Sequence, residues 1–349
     1  MFMFEFLART SLVMKDPGVI TGPIAWVLGK IVNFFFIFVY NHITVVNSLG
    51  ISIIFLTIFA RCLMIPIAFK QQKSMFVMQK IQPEIQKIQA KYKGKMEDPE
   101  VQKKMNMEMQ RLYTKHNYSP LSGCLPLLIQ MPIFFGLYYI MQHPFLYIDI
   151  INGLYTDFST HVLNFAQGAG SSSEIMRLIN EFGAGAGLEA GTNITVDVFS
   201  RLLNVLNPAQ VKQLVDVVGS SDLMEICTEK QAIETFLGIS LTETVGFALN
   251  IKLIIPILSA FTTWLSSWMM TRKNKTMDPQ MQSQQKVMNI VMPLMMAWIT
   301  TGLPGGVGLY WIVSNVFQVV QQAVISRHFE RKKEREENEE QTKTGGKKK

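Results

Sequence analysis

The stretch 48-SLGISIIFLTIFARCLMIPIAF-69 decides how this chain folds. It is apolar over nearly its whole length and contains a single charged residue, Arg61. About 20 mostly apolar residues are enough for a helix to cross the hydrocarbon core of a bilayer. The stretch is therefore predicted to be a transmembrane helix, and the arginine inside it requires a physical explanation.

Four further apolar runs have the length of a spanning helix or come close to it. The whole chain is 48% hydrophobic and only 17% charged, which is a low charge content for a soluble protein. Prolines inside these runs are tolerated in membrane helices when neighbouring groups bond the freed carbonyls. The sequence predicts an all-α polytopic membrane protein with five transmembrane helices, in the segments 47–70, 119–142, 250–270, 285–302 and 305–326.

A sixth apolar run, 24–40, is interrupted by Lys30 and Asn33, which lie near one face together with Trp26. Amphipathic helices that lie in the membrane surface have this pattern. The alternative is a sixth span, because the run is almost long enough to cross. We favour the interfacial helix, within an extracytoplasmic N-terminal segment 1–46.

Basic residues predict the orientation, because the cytoplasmic segments of membrane proteins carry an excess of Lys and Arg. The segments 71–118, 271–284 and 327–349 are rich in basic residues, and the chain ends in three lysines. The segment 143–249 is predominantly acidic instead. All five spans agree with one topology, in which the basic segments and the C-terminus are cytoplasmic. The N-terminus and the acidic segment are then extracytoplasmic.

The cytoplasmic segment 71–118 has the pattern of an antiparallel helical hairpin. Apolar residues recur at near-heptad spacing in 73–92 and in 101–116, and Gly94 and an Asp-Pro pair lie between these ranges. Such a hairpin could be no more than a solvated connection. We favour a mobile lid that contacts lipid headgroups, the ribosome or incoming chains.

The extracytoplasmic segment 143–249 is longer than a simple connection. Helical patterns occur around 175–182, 196–206 and 208–218, separated by glycine-rich stretches. We predict a small helical insertion, with disorder as the alternative for its glycine-rich parts.

Arg61 lies toward the cytoplasmic half of the first span, and Thr57 precedes it by one turn on the same face. No Asp or Glu occurs inside any of the five predicted spans. The guanidinium could reach the cytoplasmic headgroups along its apolar stem. It could instead face a water-filled cavity within the membrane.

A polar stripe on the fifth span favours the cavity. Polar residues recur three or four positions apart from Trp311 to Gln322. Amides that merely bond one helix to another are the simpler interpretation. Exposing such a stripe to lipid is costly. Because the first span also contains an arginine, a hydrated groove explains the stripe better than helix-to-helix bonding does. The predicted client-binding residues of this groove are Arg61, Thr57, Gln130, Trp311, Ser314, Asn315 and Gln318.

The groove would act without catalysis. The cysteines and histidines lack metal-site spacing, and we find no nucleophile–base pair, so we predict no catalytic residue, metal or cofactor. A cation without a fixed partner can hold the acidic tail of a client protein. The client's apolar segment can then move into lipid, which releases about 25 cal/mol per Å² of buried apolar surface without ATP.

At these residues the sequence resembles the YidC, Oxa and Alb family of membrane protein insertases. The resemblance covers about 20–150 and 236–330 and leaves the insertion at 155–230 unexplained. The chain also lacks the large extracytoplasmic β-sandwich domain of Gram-negative members, so its architecture looks Gram-positive. The matching blocks are 56–61, 64–66, 78–92, 122–134, Pro293, 308–315 and 321–322.

The resemblance implies a five-helix core with a hydrophilic groove that is open to the cytosol and the lipid and is capped by the hairpin. It implies that Arg61 is the groove arginine. It further implies an ATP-independent insertase and chaperone of the bacterial cytoplasmic membrane, acting alone or with the Sec translocon. The residues implied to contact clients are Thr57, Gln130, Trp311 and Ser314.

The predicted partners are nascent membrane proteins and the lipid bilayer. Clustered Lys and Arg in the tail 327–349 could bind ribosomal RNA, although simple solubility explains them as well. We expect no DNA partner. The alternative function is a polytopic small-solute transporter, but that class usually shows inverted repeats, which we do not find. A membrane enzyme such as an intramembrane protease is a second alternative.

Overall fold

The computed structural model describes residues 18, 21–94, 98–119, 125–168, 172–189, 191–271 and 286–345. Within these ranges the regular secondary structure is helical apart from one two-stranded antiparallel hairpin, so the all-α prediction is confirmed. The helices are α1 (Thr21–His42), α2 (Ser48–Leu63), α3 (Ile65–Tyr92), α4 (Pro99–Lys115), α5 (Leu125–Gln142), α6 (Asp149–Gln167), α7 (Ser172–Gly185), α8 (Val196–Val205), α9 (Pro208–Val218), α10 (Ser221–Glu234), α11 (Ile254–Thr271), α12 (Met292–Thr301) and α13 (Gly305–Gly345), and the strands are β1 (Thr235–Phe236) and β2 (Ile239–Ser240).

Some predicted features fall outside the described ranges. They include most of the N-terminal segment and the first residues of the second span. The loop predicted between the third and fourth spans and the three terminal lysines also fall there. The residues concerned are 1–17, 120–124, 272–285 and 346–349.

Two described helical segments are long and apolar enough to cross a membrane. They are α1 and Ile251–Met270, in which a 3-10 turn (Ile251–Leu253) leads into α11. The pair α2 and α3 passes the same test but is bent by 56° between Leu63 and Ile65. The first predicted span is therefore not one straight helix. Pro66 occupies the first turn of α3, where its missing N–H group would have had no helical partner anyway.

The contacts of the chain divide it into two compact units. The first comprises Met1–Leu56, Pro132–Lys252 and Leu303–Leu309, and the second comprises the remaining residues.

In the first unit, the segment predicted to be a helical insertion contains α6 to α10. Helix α6 buries residues three or four positions apart, including Tyr155, Phe158 and Val162, which gives it one apolar face toward its neighbours. Helix α9 begins with a capping box, in which Asn207 and Gln210 each bond the backbone N–H of the other. The three helical patterns of the sequence correspond to α7, α8 and α9.

Helix α1 belongs to the same unit and is bonded to the acidic segment. The amide of Asn33 donates to Asp149 Oδ2 at 2.7 Å, and its oxygen accepts the Asp149 backbone N–H at 3.0 Å. The Tyr40 hydroxyl donates to Glu229. A Cβ at Gly29 would lie 2.4 Å from the Tyr147 ring, so this glycine permits close approach.

In the second unit, α3 and α4 pack against each other around Ile81, Ile85 and Leu112. Asp98 caps α4 by accepting the backbone N–H of Glu100 at 2.9 Å. Helices α3 and α4 coincide with the two ranges of near-heptad apolar spacing, 73–92 and 101–116. The first is longer than predicted, because it begins at Ile65 directly after the bend.

Candidate functional site

Arg61 occupies the last turn of α2, within the second unit. Its Nε donates to the Ser314 hydroxyl oxygen at 2.7 Å, and its Nη2 donates to the same oxygen. Ser314 is buried, with 2% of its surface exposed. The guanidinium is thus turned toward Ser314 on α13.

No carboxylate forms an ion pair with Arg61 in the part of the chain that the structure describes. A guanidinium has five N–H donors, and the serine oxygen satisfies only two of them. The described residues therefore supply a hydroxyl dipole to Arg61 and no neutralising charge. A water molecule or an anionic group from another molecule could bond the remaining donors.

A cavity of about 50 Å³ adjoins Arg61. A water molecule needs roughly 10–15 Å³ of such space, so a few can fit. The Nε2 of Gln321 is buried and has no hydrogen-bond partner among the described residues, which is a reason for water to occupy the cavity. The lining side chains are amides, thioethers and aliphatic groups around the guanidinium, namely Arg61, Met64, Ile67, Ala68, Gln71, Gln72, Met75, Met270, Gln318, Gln321, Gln322 and Ile325.

Gln130 bonds a residue that the sequence analysis missed. Its Nε2 donates to the Tyr310 hydroxyl at 2.5 Å, and Tyr310 is 2% exposed. Tyr310 lies one turn before Ser314 on α13, so the two share a face. The four-residue spacing between a tyrosine and the polar serine was the signal that could have identified it.

The remaining polar residues of the stripe bond a different helix. Trp311 Nε1 donates to Thr263 Oγ1 on α11 at 3.0 Å. Asn315 Nδ2 donates to Thr262 and Thr263 at 3.2 and 2.9 Å. For these two residues, the helix-to-helix bonding considered in the sequence analysis is what the structure shows.

Gln318 and Thr57 complete the predicted set. Gln318 Nε2 lies 4.0 Å from the sulfur of Met270 on α11, and its side chain also lines the cavity beside Arg61. It therefore contributes both to the contact with α11 and to the cavity wall. Thr57 is fully buried one turn before Arg61. The structure therefore brings Arg61, Ser314 and Gln318 to one place.

The described residues contain no group of three or more His, Cys, Asp or Glu side chains that could hold a metal ion. The site can instead bind by charge and by hydrogen bonds.

Comparison with known proteins assigns the family. The sequence model of the 60Kd inner membrane protein family matches residues 39–333. The membrane protein insertase YidC of Oceanobacillus iheyensis is 27% identical over 314 residues, which cover 89% of this chain and 83% of that protein. The YidC of Caldanaerobacter subterraneus is 28% identical over 307 residues, covering 88% and 95%.

A third relative is more similar over a shorter region. The membrane protein insertase MisCA of Bacillus subtilis is 37% identical over 155 residues, which cover 42% of this chain and 58% of that protein. The family match alone spans well over half of the chain, from the last turn of α1 into the polar part of α13. The chain is a member of the 60Kd inner membrane protein family.

Proposed function

We propose that this chain is a membrane protein insertase, which moves hydrophobic segments of nascent proteins into the lipid bilayer. It is a multi-pass bacterial membrane protein, as its family and its apolar helices indicate, and its relatives carry the name membrane protein insertase. The observation that carries the mechanism is the guanidinium of Arg61, bonded to Ser314 without a described carboxylate partner.

The proposed binding step uses this positive charge. The acidic N-terminal tail or a polar loop of a client enters a hydrated groove and pairs transiently with Arg61. An isolated charge is poorly stabilised in hydrocarbon, so the client anion and the arginine each gain from the encounter. The neighbouring glutamines and water maintain a polar path, which shortens the low-dielectric distance that the tail must cross.

The proposed transfer step needs no ATP. Each Å² of apolar client surface that leaves water for lipid contributes about 25 cal/mol, so a spanning segment supplies its own driving force. The chain would then act as an insertase and chaperone and not as an enzyme.

The proposed topology has five spans and a cytoplasmic hairpin formed by α3 and α4. The N-terminus is outside and the C-terminus is inside. The bonds from Asn33 to Asp149 and from Tyr40 to Glu229 support a surface position for α1, because both partners lie in the acidic segment assigned to the outside. The length and apolarity of α1 still allow a sixth span.

The proposed partners are client proteins, the ribosome and the Sec translocon. Basic residues on the hairpin and in the tail can bind ribosomal phosphates. Larger clients would be passed on with the translocon, whereas small ones would be inserted by this chain alone.

Complementation tests the proposal. A bacterial host depleted of its own insertase receives this chain, the Arg61→Ala variant or the Arg177→Ala variant. Arg177 is exposed and pairs with Glu181, so it serves as a matched control. We expect the chain and the Arg177 variant to restore insertion of a short acidic-tailed client, measured by protease protection, and the Arg61 variant to fail. A chain that restores nothing but carries solutes across liposomes would be a transporter.

A further inference from the structure

A group of large apolar side chains is exposed in the first unit, on two loops and on the turn of the β-hairpin. We call it the outer rim, and it consists of Val46, Leu237, Phe247, Leu249 and Ile251. Leu249 is 97% exposed, and each of the others exposes more than half of its surface. Single exposed apolar residues are ordinary, whereas a group of them marks a surface that meets a partner.

Contacts within the unit bring three parts of the outer rim together. The Leu237 backbone N–H donates to Asn47 Oδ1 at 3.1 Å, which places the turn beside the loop that contains Val46. A Cβ at Gly238, the next residue of the turn, would lie 4.0 Å from Ile251 Cδ1. The turn therefore connects the loop before α2 with the loop before α11.

Leu237 is an unfavourable residue for its position in the turn. It is the first of the two residues between β1 and β2, and both have a positive φ, 51° for Leu237 and 82° for Gly238. Two-residue hairpin turns with this backbone favour Asn-Gly or Asp-Gly, because the left-handed conformation crowds the Cβ of other residues. The Leu237 side chain is also 72% exposed. Neither the turn nor packing against the described residues accounts for a leucine here, so we look for a partner outside the chain.

The neighbours of the outer rim along the chain indicate lipid as this partner. Ile251 is the first residue of the segment Ile251–Met270, which is long and apolar enough to cross a membrane. The loop that contains Val46 leads directly into α2, the first helix of the bent pair that passes the same test. The rim thus lies where the chain enters two apolar helices, which is the place of a membrane surface.

The charges of this region favour acyl chains over a charged partner. The outer rim contains no charged side chain. Lys252, the next residue after Ile251, already pairs with Glu243 at 2.6 Å. An apolar surface gains free energy when hydrocarbon covers it, and a paired lysine offers little additional attraction to phosphate.

We propose that the outer rim inserts into the outer leaflet of the bilayer, at the boundary between headgroups and acyl chains. It would anchor the extracytoplasmic helices to the lipid, and burial of its apolar surface is the driving force. This inference rests on the proposed topology, in which 143–249 is outside, and it goes beyond the proposed insertion mechanism, which does not use these residues.

Fluorescent probes measure the depth of the rim in the full-length protein. The three native cysteines are replaced by serine, and Leu237→Cys, Leu249→Cys or Met224→Cys is labelled with a small dye in lipid nanodiscs that hold one copy each. Met224, on α10, is also apolar and 60% exposed but lies outside the rim, so it is the matched control. We expect phospholipid with a spin label on its acyl chain to quench the rim probes strongly. Aqueous iodide should quench them about tenfold less than the control, because an anion does not enter hydrocarbon.

Substitution of the turn tests the driving force. Leu237→Asp suits the turn, because Asp-Gly is favoured there, but its carboxylate is costly in lipid. With the probe on Leu249→Cys, this change should raise iodide quenching severalfold, whereas Met224→Asp should leave it unchanged. Quenching by the spin-labelled lipid should be the same at low and high salt, because an apolar contact is not screened. Thermal unfolding of each variant checks that it folds.

Several results would overturn the inference. Equal iodide quenching of the rim and control probes would place the rim in water, and protection from both quenchers would mean that protein covers it. Equal effects of the two Asp variants would exclude a specific role of the turn, and loss of lipid quenching at high salt would make the contact electrostatic. A membrane-impermeant maleimide that fails to label Met224→Cys from outside intact cells would contradict the outer-leaflet position.

The insertase proposal is tested separately. It stands after any of these results if the unmodified chain still inserts an acidic-tailed client. Loss of that insertion would count against the proposed function, whereas lipid quenching of the rim probes would still support the lipid contact.

Discussion

Arg61 and Ser314 are joined by two hydrogen bonds, because the Nε and Nη2 groups of the guanidinium both donate to one serine oxygen. A single buried hydroxyl on α13 thereby fixes the direction of the charge on α2. The bond orients the arginine but leaves its charge available, since the described part of the chain provides no carboxylate for it.

Ser314→Ala is expected to reduce insertion without abolishing it. A hydrogen bond to a charged group contributes about 1.5–3 kcal/mol, so losing the orienting bond should slow insertion by about ten- to a hundredfold. The measurement is the rate at which an acidic-tailed client becomes protease-protected. Ser259→Ala is the control, because the Ser259 hydroxyl is buried without a described partner. Equal rates in the two variants would mean that Ser314 does not orient the arginine for function.

Replacement of Arg61 should affect clients according to their charge. Arg61→Gln removes the charge and should impair an acidic-tailed client more than the same client with a neutral tail. Arg61→Lys keeps the charge but replaces the planar fork by one ammonium, so we expect partial activity. Insertion of paired clients in proteoliposomes checks both variants. If Arg61→Gln reduces the insertion of the acidic-tailed and the neutral-tailed client equally, charge pairing is not the mechanism.

Tyr310→Phe is expected to lower stability through Gln130. Loss of the hydroxyl leaves the Gln130 amide without its acceptor, at a cost of about 1–3 kcal/mol. Thermal unfolding in detergent measures the effect. A double variant with Gln130→Met should lose less than the sum of the single losses, because both changes remove the same bond. Simple additivity would show that the two side chains act independently.

Thr263→Val should weaken the contact of α11 with α13. Trp311 and Asn315 both donate to the Thr263 hydroxyl, and interhelical bonds in membranes contribute about 0.6 kcal/mol each on average. We expect a lower unfolding temperature with insertion per folded molecule unchanged. If the Thr263 variant instead lost insertion while keeping its full stability, the contact between α11 and α13 would be assigned to client binding.

The hairpin of α3 and α4 should loosen at low pH. A hydrogen bond from Lys91 at 2.6 Å lowers the pKa of Glu108 below its ordinary value. The stability that the Lys91–Glu108 pair contributes to the hairpin is therefore present above the ordinary carboxyl pKa of about 4.3, and it is lost as the pH falls below that value. Hydrogen exchange of the hairpin amides between pH 6 and about 3 measures the change. Glu108→Gln should remove this pH dependence, whereas Glu100→Gln should keep it.

Several features of the fold were predictable because they depend on local pattern. Apolar runs longer than a bilayer is thick indicate membrane helices, and the near-heptad apolar residues of 73–92 and 101–116 correspond to α3 and α4. The bend after Leu63 was not predicted, although Pro66 lies three residues later. A proline is compatible with a continuing membrane helix or with a new one, and only the packing of the neighbours selects between them.

The sequence by itself determined that the protein is helical, that it has the apolar runs of a membrane protein, and that Arg61 has no acidic residue in its own or the other predicted spans. These properties follow from composition and from the helical period, which fixes the residues that share a face. Only the tertiary structure decided what each face contacts. Ser314 meets the guanidinium of Arg61, whereas Asn315, the next residue, meets α11. Neighbouring positions on a helix point in directions about 100° apart, so the helices packed around them determine their partners.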